Sequence, residues 1–396
     1  MSNRALVRRV LRAAIILGVI AGVGVGSWWL LRPTAAADRA ARATVAGLQR
    51  DEQSHRFARA LKPVPFVFPD DHGPHNDFQT EWWYYTGNVF TPEGRHFGYQ
   101  LTFFRRALVP PDEQSALEGR TSRLAFNQLY FAHFALTDTD ANEHVAFERY
   151  SRGAADLAGA QAHPFRVFVH NWFVQSARDD GDAARVRLFA EQDGYAIDLT
   201  LESQKPIVLH GERGLSQKSN TPGIASYYYS MTRLITRGRI TTPRGTFEVQ
   251  GQSWLDREWS TSALDDDVEG WDWFSLQFDD GREVMFFKLR QRETGATTFA
   301  KGTLITAGGS TTLLRQDDVR VRVLERWTSP HTNATYPVRW QMDVLPLGLT
   351  LNIRARVSDQ EMRLTQRYWE GAVTFEGSAT QGETVRGVGY VEMTGY

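Results

Sequence analysis

Hydrophobic and polar residues alternate in many short runs along most of this chain. Residues 97–103 and 195–201, for example, send successive side chains to opposite faces, which is the period of a β-strand. Turn-forming segments such as 179–181 and 279–281 separate these runs at short intervals. Alternation interrupted in this way is typical of antiparallel strands joined by hairpins. The pattern therefore predicts an all-β body beyond Phe66.

The sequence also contains a faint internal repeat. The aromatic segment 82–85 leads through Gly94-Arg95 into a second alternating run, and the aromatic segment 271–274 does so through Gly281-Arg282. This similarity predicts two related β units packed side by side, with a boundary near residues 237–242. Chance resemblance between two hairpins is the alternative.

The first 37 residues have the pattern of an export segment. An uncharged run covers residues 13–31, and small residues at 35–37 offer a site for a signal peptidase. The run approaches the roughly 20 residues that a spanning helix needs. We therefore expect residues 1–37 to be a membrane anchor or a cleaved signal peptide, and residues 38–65 to be a stalk. The body would then lie in the periplasm or elsewhere outside the cytoplasm. The basic residues that precede the run are Arg4, Arg8, Arg9 and Arg12.

Charge and cysteine content exclude several classes of partner and chemistry. The 396 residues include 45 basic and 46 acidic side chains, so there is no positive surplus for binding nucleic acid. Cysteine is absent, which excludes disulfides, thiolate zinc sites and cysteine nucleophiles. The sequence also has no nucleophile elbow, zincin motif, phosphate-binding glycine loop or dinucleotide fingerprint. We expect no metal and no other cofactor.

The densest polar and aromatic cluster covers residues 253–259. In a strand, Trp254, Asp256 and Glu258 would share one face, and Arg257 would lie on the other. If that face points into an apolar barrel, desolvation raises the pKa of a carboxyl group and produces a neutral acid. The alternative is a strand end at which both carboxylates pair with arginines at the surface.

Other candidate residues have a structural interpretation as well as a functional one. His72 and His75, among acidic residues, could hold a metal, or they could belong to a loop that docks the N-terminal segment onto a barrel mouth. His133 has apolar neighbours and suits a core position. Aromatic residues at 227–229 and 271–273 could fill a core, line a tunnel for an apolar ligand or stabilise a cation.

Six motifs together resemble those of a known family, the AttH-like, lipocalin-like proteins. This family is also called the predicted secreted hydrolases and is related to carotenoid 1,2-hydratases (hydroxyneurosporene synthases). The resemblance runs from about Pro69 to the last residue. It implies two tandem lipocalin-like antiparallel β-barrels, assigned here to residues 66–238 and 239–396. The motifs are HGPH (72–75), TEWWYYTGN (80–88), QLTFFR (100–105), WLDREW (254–259), WDWFSLQ (271–277) and GYVEMTGY (389–396).

In its hydratase branch the resemblance implies the cofactor-free addition of water to a terminal trisubstituted alkene. The general family name implies hydrolysis of an apolar substrate as the other enzymatic alternative. Asp256 would then donate the proton, and Glu258 would tune the pKa of Asp256 or position the water. The resemblance also implies a hydrophobic small molecule or lipid as ligand. The alternative is a non-catalytic ligand-binding protein of the cell envelope, because members of the family are often associated with lipoprotein-export-like ABC transporters. The residues expected to face the ligand are Trp254, Trp271, Trp273, Trp83, Tyr85, His133 and Tyr229.

Overall fold

The computed structural model describes residues 54–113, 127–178, 180–262, 264–380 and 382–396. The predicted signal or anchor at 1–37, and residues 38–53 of the predicted stalk, lie outside the described residues. Among the helices in the described part of the chain, none has the length and apolar character needed to cross a membrane. Strands dominate, as predicted, and four 3₁₀ turns accompany them: η1 (Ser54–Arg56), η2 (Asp70–His72), η3 (Gln316–Asp318) and η4 (Leu345–Leu347).

The first half of the described chain forms one antiparallel sheet of thirteen strands. Its strands are β1 (Thr80–Phe90), β2 (His96–Ala107), β3 (Gln128–Asp138), β4 (Glu143–Arg152), β5 (Ala158–Gln161), β6 (Arg166–Val169), β7 (Trp172–Ser176), β8 (Arg185–Gln192), β9 (Tyr195–Ser203), β10 (Val208–Leu209), β11 (Leu215–Gln217), β12 (Ala225–Thr242) and β13 (Gly245–Ser262). Their order is β4-β3-β2-β1-β13-β12-β9-β8-β7-β6-β5, and β10 and β11 pair with β12.

The second half forms an antiparallel sheet of ten strands within the described residues. These strands are β14 (Val268–Phe278), β15 (Glu283–Gln291), β16 (Thr297–Ile305), β17 (Thr311–Arg315), β18 (Val319–Thr328), β19 (Thr335–Val344), β20 (Leu349–Ala355), β21 (Glu361–Arg363), β22 (Arg367–Ala379) and β23 (Thr384–Thr394). Their order is β17-β16-β15-β14-β23-β22-β20-β19-β18, and β21 pairs with β22. One of the two sheets makes a nearly closed barrel and the other a half-barrel, so the all-β, lipocalin-like prediction is confirmed.

The chain passes from the first sheet to the second between Ser262 and Val268. The boundary expected from the sequence, at residues 237–242, lies inside β12. The turn at residues 242–245 joins β12 to β13, and both of these 18-residue strands belong to the first sheet. A hairpin turn and a domain boundary have the same local composition, which explains why the change of sheet comes later than expected.

Each sheet has its own apolar core, and a third apolar cluster lies between the sheets. β1 has both faces buried, because one face fills the first core and the other meets the second sheet. Polar contacts also join the sheets, including a hydrogen bond of 3.1 Å from Asn88 to the carbonyl oxygen of Gly389. This third cluster surrounds the candidate site. It includes Tyr84, Tyr228 and Trp254 from the first sheet, and Trp273, Met285, Phe287 and Tyr390 from the second.

Candidate active site between the two sheets

A cavity of about 160 Å³ lies between the two sheets. Most of its lining is aromatic or aliphatic, and its polar groups come from a few side chains of both sheets. It is lined by Thr80, Trp82, Tyr84, Thr102, Phe104, Arg106, Phe131, Lys218, Tyr228, Asp256, Glu258, Leu264, Trp271, Trp273, Phe287, Leu289, Gln366, Tyr368 and Glu392.

Strand β13 places both predicted carboxylates at this cavity. Asp256 and Glu258 line it, while Leu255 packs into the core of the first sheet on the opposite face. In the register of the sheet, Tyr84 on β1 and Ser230 on β12 flank Asp256. The strand alternation read from the sequence therefore predicted the shared face correctly.

Asp256 is buried and accepts hydrogen bonds from three side chains. Ser230 and Tyr228 donate through their hydroxyl groups, and Trp254 donates from Nε1 over 2.6 Å. Burial raises the pKa of Asp256 to about 7. The three hydrogen bonds oppose this shift, because they favour the charged form of the carboxyl group. No arginine, lysine or histidine forms an ion pair with Asp256 in the described chain. Asp256 is therefore a carboxyl group that holds its proton up to neutral pH.

The two oxygens of Asp256 have different partners. Oδ1 accepts from Trp254, whose indole is an obligate donor, and from Ser230. Among the described residues, the hydrogen-bond partner of Oδ2 is Tyr228, whose hydroxyl oxygen also accepts a hydrogen bond of 3.2 Å from Nε1 of Trp273. When Asp256 is protonated, its proton therefore lies on Oδ2, and the Tyr228 hydroxyl then accepts from Oδ2 instead of donating to it.

The buried His210 contacts the hydroxyl group of Ser230. Nε2 of His210 lies 2.6 Å from the Ser230 hydroxyl, and Nδ1 lies 2.8 Å from the hydroxyl of Thr303 on the second sheet. Ser230 has one proton and donates it to Asp256, so Nε2 of His210 must carry the proton that reaches Ser230. Burial lowers the pKa of His210 to about 3, and the nearby Lys218 adds to this effect. His210 is thus a neutral residue that orients Ser230.

Glu258 has a different environment from Asp256, although it is only two residues away. Nζ of Lys218 lies 2.9 Å from Oε1 of Glu258, and Ser226 donates to the same oxygen. The ammonium group of Lys218 also lies over the rings of Tyr228 and Phe287, at 4.9 and 4.4 Å from their centroids. Glu258 is therefore the ion-paired carboxylate of the two, and the surface-pair alternative from the sequence applies to neither Glu258 nor Asp256.

The second sheet contributes two glutamates that the sequence did not single out, the fully buried Glu370 and the half-buried Glu392. Glu392 lines the cavity, and Glu370 is its direct partner across β22 and β23. Oε1 of Glu370 accepts a hydrogen bond of 2.7 Å from the Tyr84 hydroxyl. A glutamate within an otherwise apolar strand motif, GYVEMTGY, was the available signal for Glu392.

The aromatic residues predicted to face a ligand fall into two groups. Trp271 and Trp273 line the cavity, and Trp254 lies beside it, with its ring 6.3 Å from that of Trp273. Trp83 and Tyr85 lie on the other face of β1, in the core of the first sheet. Their neighbours Trp82 and Tyr84 line the cavity instead.

Tyr229 and His133 also lie outside the cavity lining. Tyr229 packs in a separate apolar cluster and is hydrogen-bonded to Nδ1 of His72 over 2.6 Å. Tyr228, its neighbour, reaches the cavity because alternate residues of β12 face opposite ways. His133 is fully buried and touches the cavity wall indirectly, through a 2.8 Å hydrogen bond between its Nδ1 and the hydroxyl of Tyr368.

The acidic loop with His72 and His75 is part of a buried ion network away from the cavity. His75 stacks on Trp259 at 3.7 Å between ring centroids and contacts Asp71. The same network joins Glu81 to Arg105 and Arg257, which lower the pKa of Glu81 against the effect of its burial. Among the residues that the structure describes, no group of three or more histidine or acidic side chains is placed to hold a metal. The loop ties the N-terminal segment to the first sheet.

These features define a lipocalin-like β protein with a buried acid between two sheets. The chain belongs to the AttH-like family, whose model matches residues 59–396. The chain is similar to the crystal structure of a protein from Nitrosomonas europaea described as an AttH, with 34% identity and a TM-score of 0.74 over 86% of this chain and 100% of that one.

A second solved structure, kievitone hydratase from Nectria haematococca, shares the fold. Its sequence identity is 16% and its TM-score is 0.64, over 86% of this chain and 98% of that chain. Among proteins with curated descriptions, none matches this sequence.

Proposed function

We propose that this protein catalyses the acid-dependent addition of water to an alkene in an apolar, isoprenoid-like or lipid-like molecule. The observation that carries the proposal is the position of Asp256. It is a buried carboxyl group in an apolar cavity, it has no basic partner in the described chain, and its pKa is raised to about 7. Such a group is a proton donor at neutral pH.

The surroundings of Asp256 suit the intermediate of this reaction. Protonation of a trisubstituted alkene produces a tertiary cation, which aromatic ring faces stabilise. Trp271, Trp273 and Tyr84 line the cavity, and the rings of Tyr84 and Trp273 meet edge to face at 5.3 Å. Walls of this kind also exclude bulk water, so that one admitted water molecule captures the cation.

The family relationship supports the same reaction class. The chain is an AttH-like protein, and kievitone hydratase, which shares its fold, is named as a hydratase. Likeness of fold alone does not transfer an activity, and for that reason the proposal depends on the geometry of Asp256.

The test uses the full chain and geraniol, a short isoprenoid alcohol that ends in a trisubstituted alkene. The reaction is run in heavy-oxygen water, and mass spectrometry detects a tertiary alcohol that contains the heavy oxygen. We expect Asp256→Asn to lower the rate by about a hundredfold or more, the usual contribution of a general acid. Asp193→Asn is the matched control, because Asp193 is exposed in a turn with φ of 50°, a conformation that asparagine adopts readily.

Two results would contradict the hydratase proposal. Equal rates for wild type and Asp256→Asn would exclude Asp256 as the acid. Geraniol or a co-purifying apolar molecule that both proteins hold unchanged would favour the second function, an apolar-ligand carrier, for which the same aromatic cavity is the supporting observation.

We also propose that the protein acts outside the cytoplasm, in the periplasm, attached to or released from the membrane by residues 1–37. The support is the sequence pattern of arginines followed by the uncharged run 13–31. Protease treatment of spheroplasts tests this proposal: the body is expected to be digested without lysis. Protection of the body until the cells are lysed would contradict it.

A further inference from the structure

Glu370 and Glu392 are directly opposite each other on neighbouring antiparallel strands. Side chains at such positions point to the same face, with Cβ atoms about 4.5–5.5 Å apart. Glu370 is fully buried, whereas Glu392 is half-buried and faces the cavity from the second sheet. The first sheet supplies Asp256 to the same cavity. Carboxyl groups therefore reach this space from both of its sides.

Among the described residues, no basic side chain forms an ion pair with Glu370 or Glu392. Glu370 accepts a hydrogen bond from Tyr84 and also interacts with Tyr368, Tyr390 and Glu392. Trp271 donates a hydrogen bond to Glu392. Oε2 of Glu370 is buried and has no hydrogen-bond partner among the described residues. Burial and the neighbouring Glu392 hold the pKa of Glu370 well above its ordinary value, so Glu370 keeps its proton and the negative charge of the pair falls on Glu392.

Hydration needs a proton acceptor as well as a proton donor. The water that captures the cation becomes an oxonium and must lose a proton before the alcohol is complete. Glu258 is ion-paired with Lys218, whereas no cation pairs with Glu370 or Glu392 in the described part of the chain. We infer that Glu392 is the general base that accepts this proton, and that Glu370 is a positioning residue that keeps the negative charge of the pair on Glu392. This inference rests on the proposed hydration and extends it.

The step balances without a further reactant. The alkene π bond takes the proton from Oδ2 of Asp256, and a carbon–hydrogen bond forms. Water oxygen then bonds to the cationic carbon, and one of its protons passes to Glu392. Asp256 is left as a carboxylate and Glu392 as an acid, and proton exchange with solvent returns both groups to their starting states.

This assignment predicts a bell-shaped dependence of the rate on pH. Asp256 must be protonated and the glutamate pair must carry one negative charge, so the rate falls on both sides of about pH 7. The other titratable or charged groups at the cavity and the pair are Tyr84, Arg106, Lys218, Tyr228 and Glu258 from the first sheet, and Tyr368 and Tyr390 from the second.

The experiment separates protonation from capture by water. The full chain is incubated with geraniol in deuterated, heavy-oxygen water. Deuterium that enters recovered alkene reports reversible protonation by Asp256, and heavy oxygen in the product reports capture of water. Glu392→Gln is expected to lower heavy-oxygen incorporation by about a hundredfold or more and to change deuterium exchange only a few-fold. Glu376→Gln is the control, because Glu376 lies on the neighbouring strand β22 and is exposed.

Each result has a distinct meaning. Wild-type rates of oxygen incorporation in Glu392→Gln would overturn the role of Glu392 and leave the hydratase proposal intact. Loss of both exchange and hydration in a folded Glu392→Gln protein would also overturn the role of Glu392 as the base. Glu392 would then be required for protonation of the alkene by Asp256. Absence of both signals in wild type would overturn the hydratase proposal and this inference with it.

Glu370→Gln and infrared spectroscopy test the pair itself. Glutamine is the neutral isostere of a protonated glutamate, so Glu370→Gln is expected to leave the acidic limb of the rate profile within about half a unit of its wild-type position. In wild type with carbon-labelled glutamate, the band of a protonated carboxyl is expected near neutral pH, and Glu370→Gln is expected to remove it. A larger displacement of the acidic limb, or fully ionised glutamates at about pH 6, would overturn the protonated state of Glu370.

Discussion

Tyr84, on the first sheet, donates a hydrogen bond of 2.7 Å to Oε1 of Glu370 on the second sheet. Tyr84 is also the register partner of Asp256, and Glu370 is the register partner of Glu392. One hydrogen bond therefore connects the strand next to that of the acid with the strand next to that of the proposed base. The active site and the packing of the two sheets depend on the same contact.

Replacing this tyrosine tests how much the contact stabilises the fold. Tyr84→Phe leaves the buried carboxyl of Glu370 without its donor, so we expect the free energy of unfolding to fall by roughly 1–3 kcal/mol. Urea denaturation followed by tryptophan fluorescence measures the change. Tyr150→Phe, at a tyrosine that is 40% exposed, is expected to change it by less than about 0.5 kcal/mol. Equal effects at both sites would contradict a stabilising role for the Tyr84–Glu370 bond.

The raised pKa of Asp256 predicts a loss of stability as pH rises. Between the ordinary pKa of 3.8 and the folded-state pKa of about 7, the native state holds a proton that the unfolded state releases. The contribution of this carboxyl to stability therefore falls as pH increases through that window. The unfolding free energy of wild type minus that of Asp256→Asn is expected to fall by roughly 2–3 kcal/mol from about pH 5 to about pH 8. A difference that stays flat, as expected for Asp193→Asn, would exclude the raised pKa.

The Lys218–Glu258 pair predicts a non-additive double mutant. The two side chains are 10% and 7% exposed, so removing Lys218 leaves a nearly buried carboxylate without its partner. Lys218→Met is expected to cost about 3–5 kcal/mol, and the addition of Glu258→Gln is expected to restore at least half of this loss. Lys62→Met, at an exposed lysine, is the control. Simple additivity of the two substitutions in urea unfolding would contradict the pairing.

His210 is predicted to remain neutral over the physiological range. Its pKa is lowered to about 3 by burial, so the imidazole stays uncharged above that pH in the folded protein. Nitrogen NMR of labelled histidine is expected to show a proton on Nε2, an unprotonated Nδ1 and no titration between about pH 5 and 8. Titration near the ordinary value of 6.5 would rule out its role in orienting Ser230.

The local pattern of hydrophobic and polar residues was sufficient to predict the fold class. Alternation with a period of two, interrupted by turn residues, predicted the antiparallel strands, and the repeated aromatic hairpins predicted two units. The change of sheet was harder to locate because residues 242–245 form a tight turn inside one sheet. The break between sheets, after Ser262, has no stronger turn signal than the hairpins around it.

Part of the site was also predictable from one strand. Alternation along β13 placed Asp256 and Glu258 on one face with Trp254, whatever that face turned out to meet. Along β1 the same rule gave no preference, because both faces of the segment 82–85 are aromatic. The prediction names Trp83 and Tyr85 as ligand contacts, but these two residues lie in the core of the first sheet. Trp82 and Tyr84 line the cavity instead.

The sequence by itself determined which side chains share a strand face, because that depends only on backbone geometry within each strand. It also determined the family and the all-β class. The tertiary structure alone decided which faces meet across the two sheets. The folding of the first sheet brought Lys218 to Glu258 and gave Asp256 its uncharged donors. The packing of the two sheets brought Glu392 to the same cavity from more than a hundred residues away, with Glu370 beside it on the neighbouring strand. Burial and charge pairing set the chemistry of a carboxyl group, and both are properties of the assembled fold.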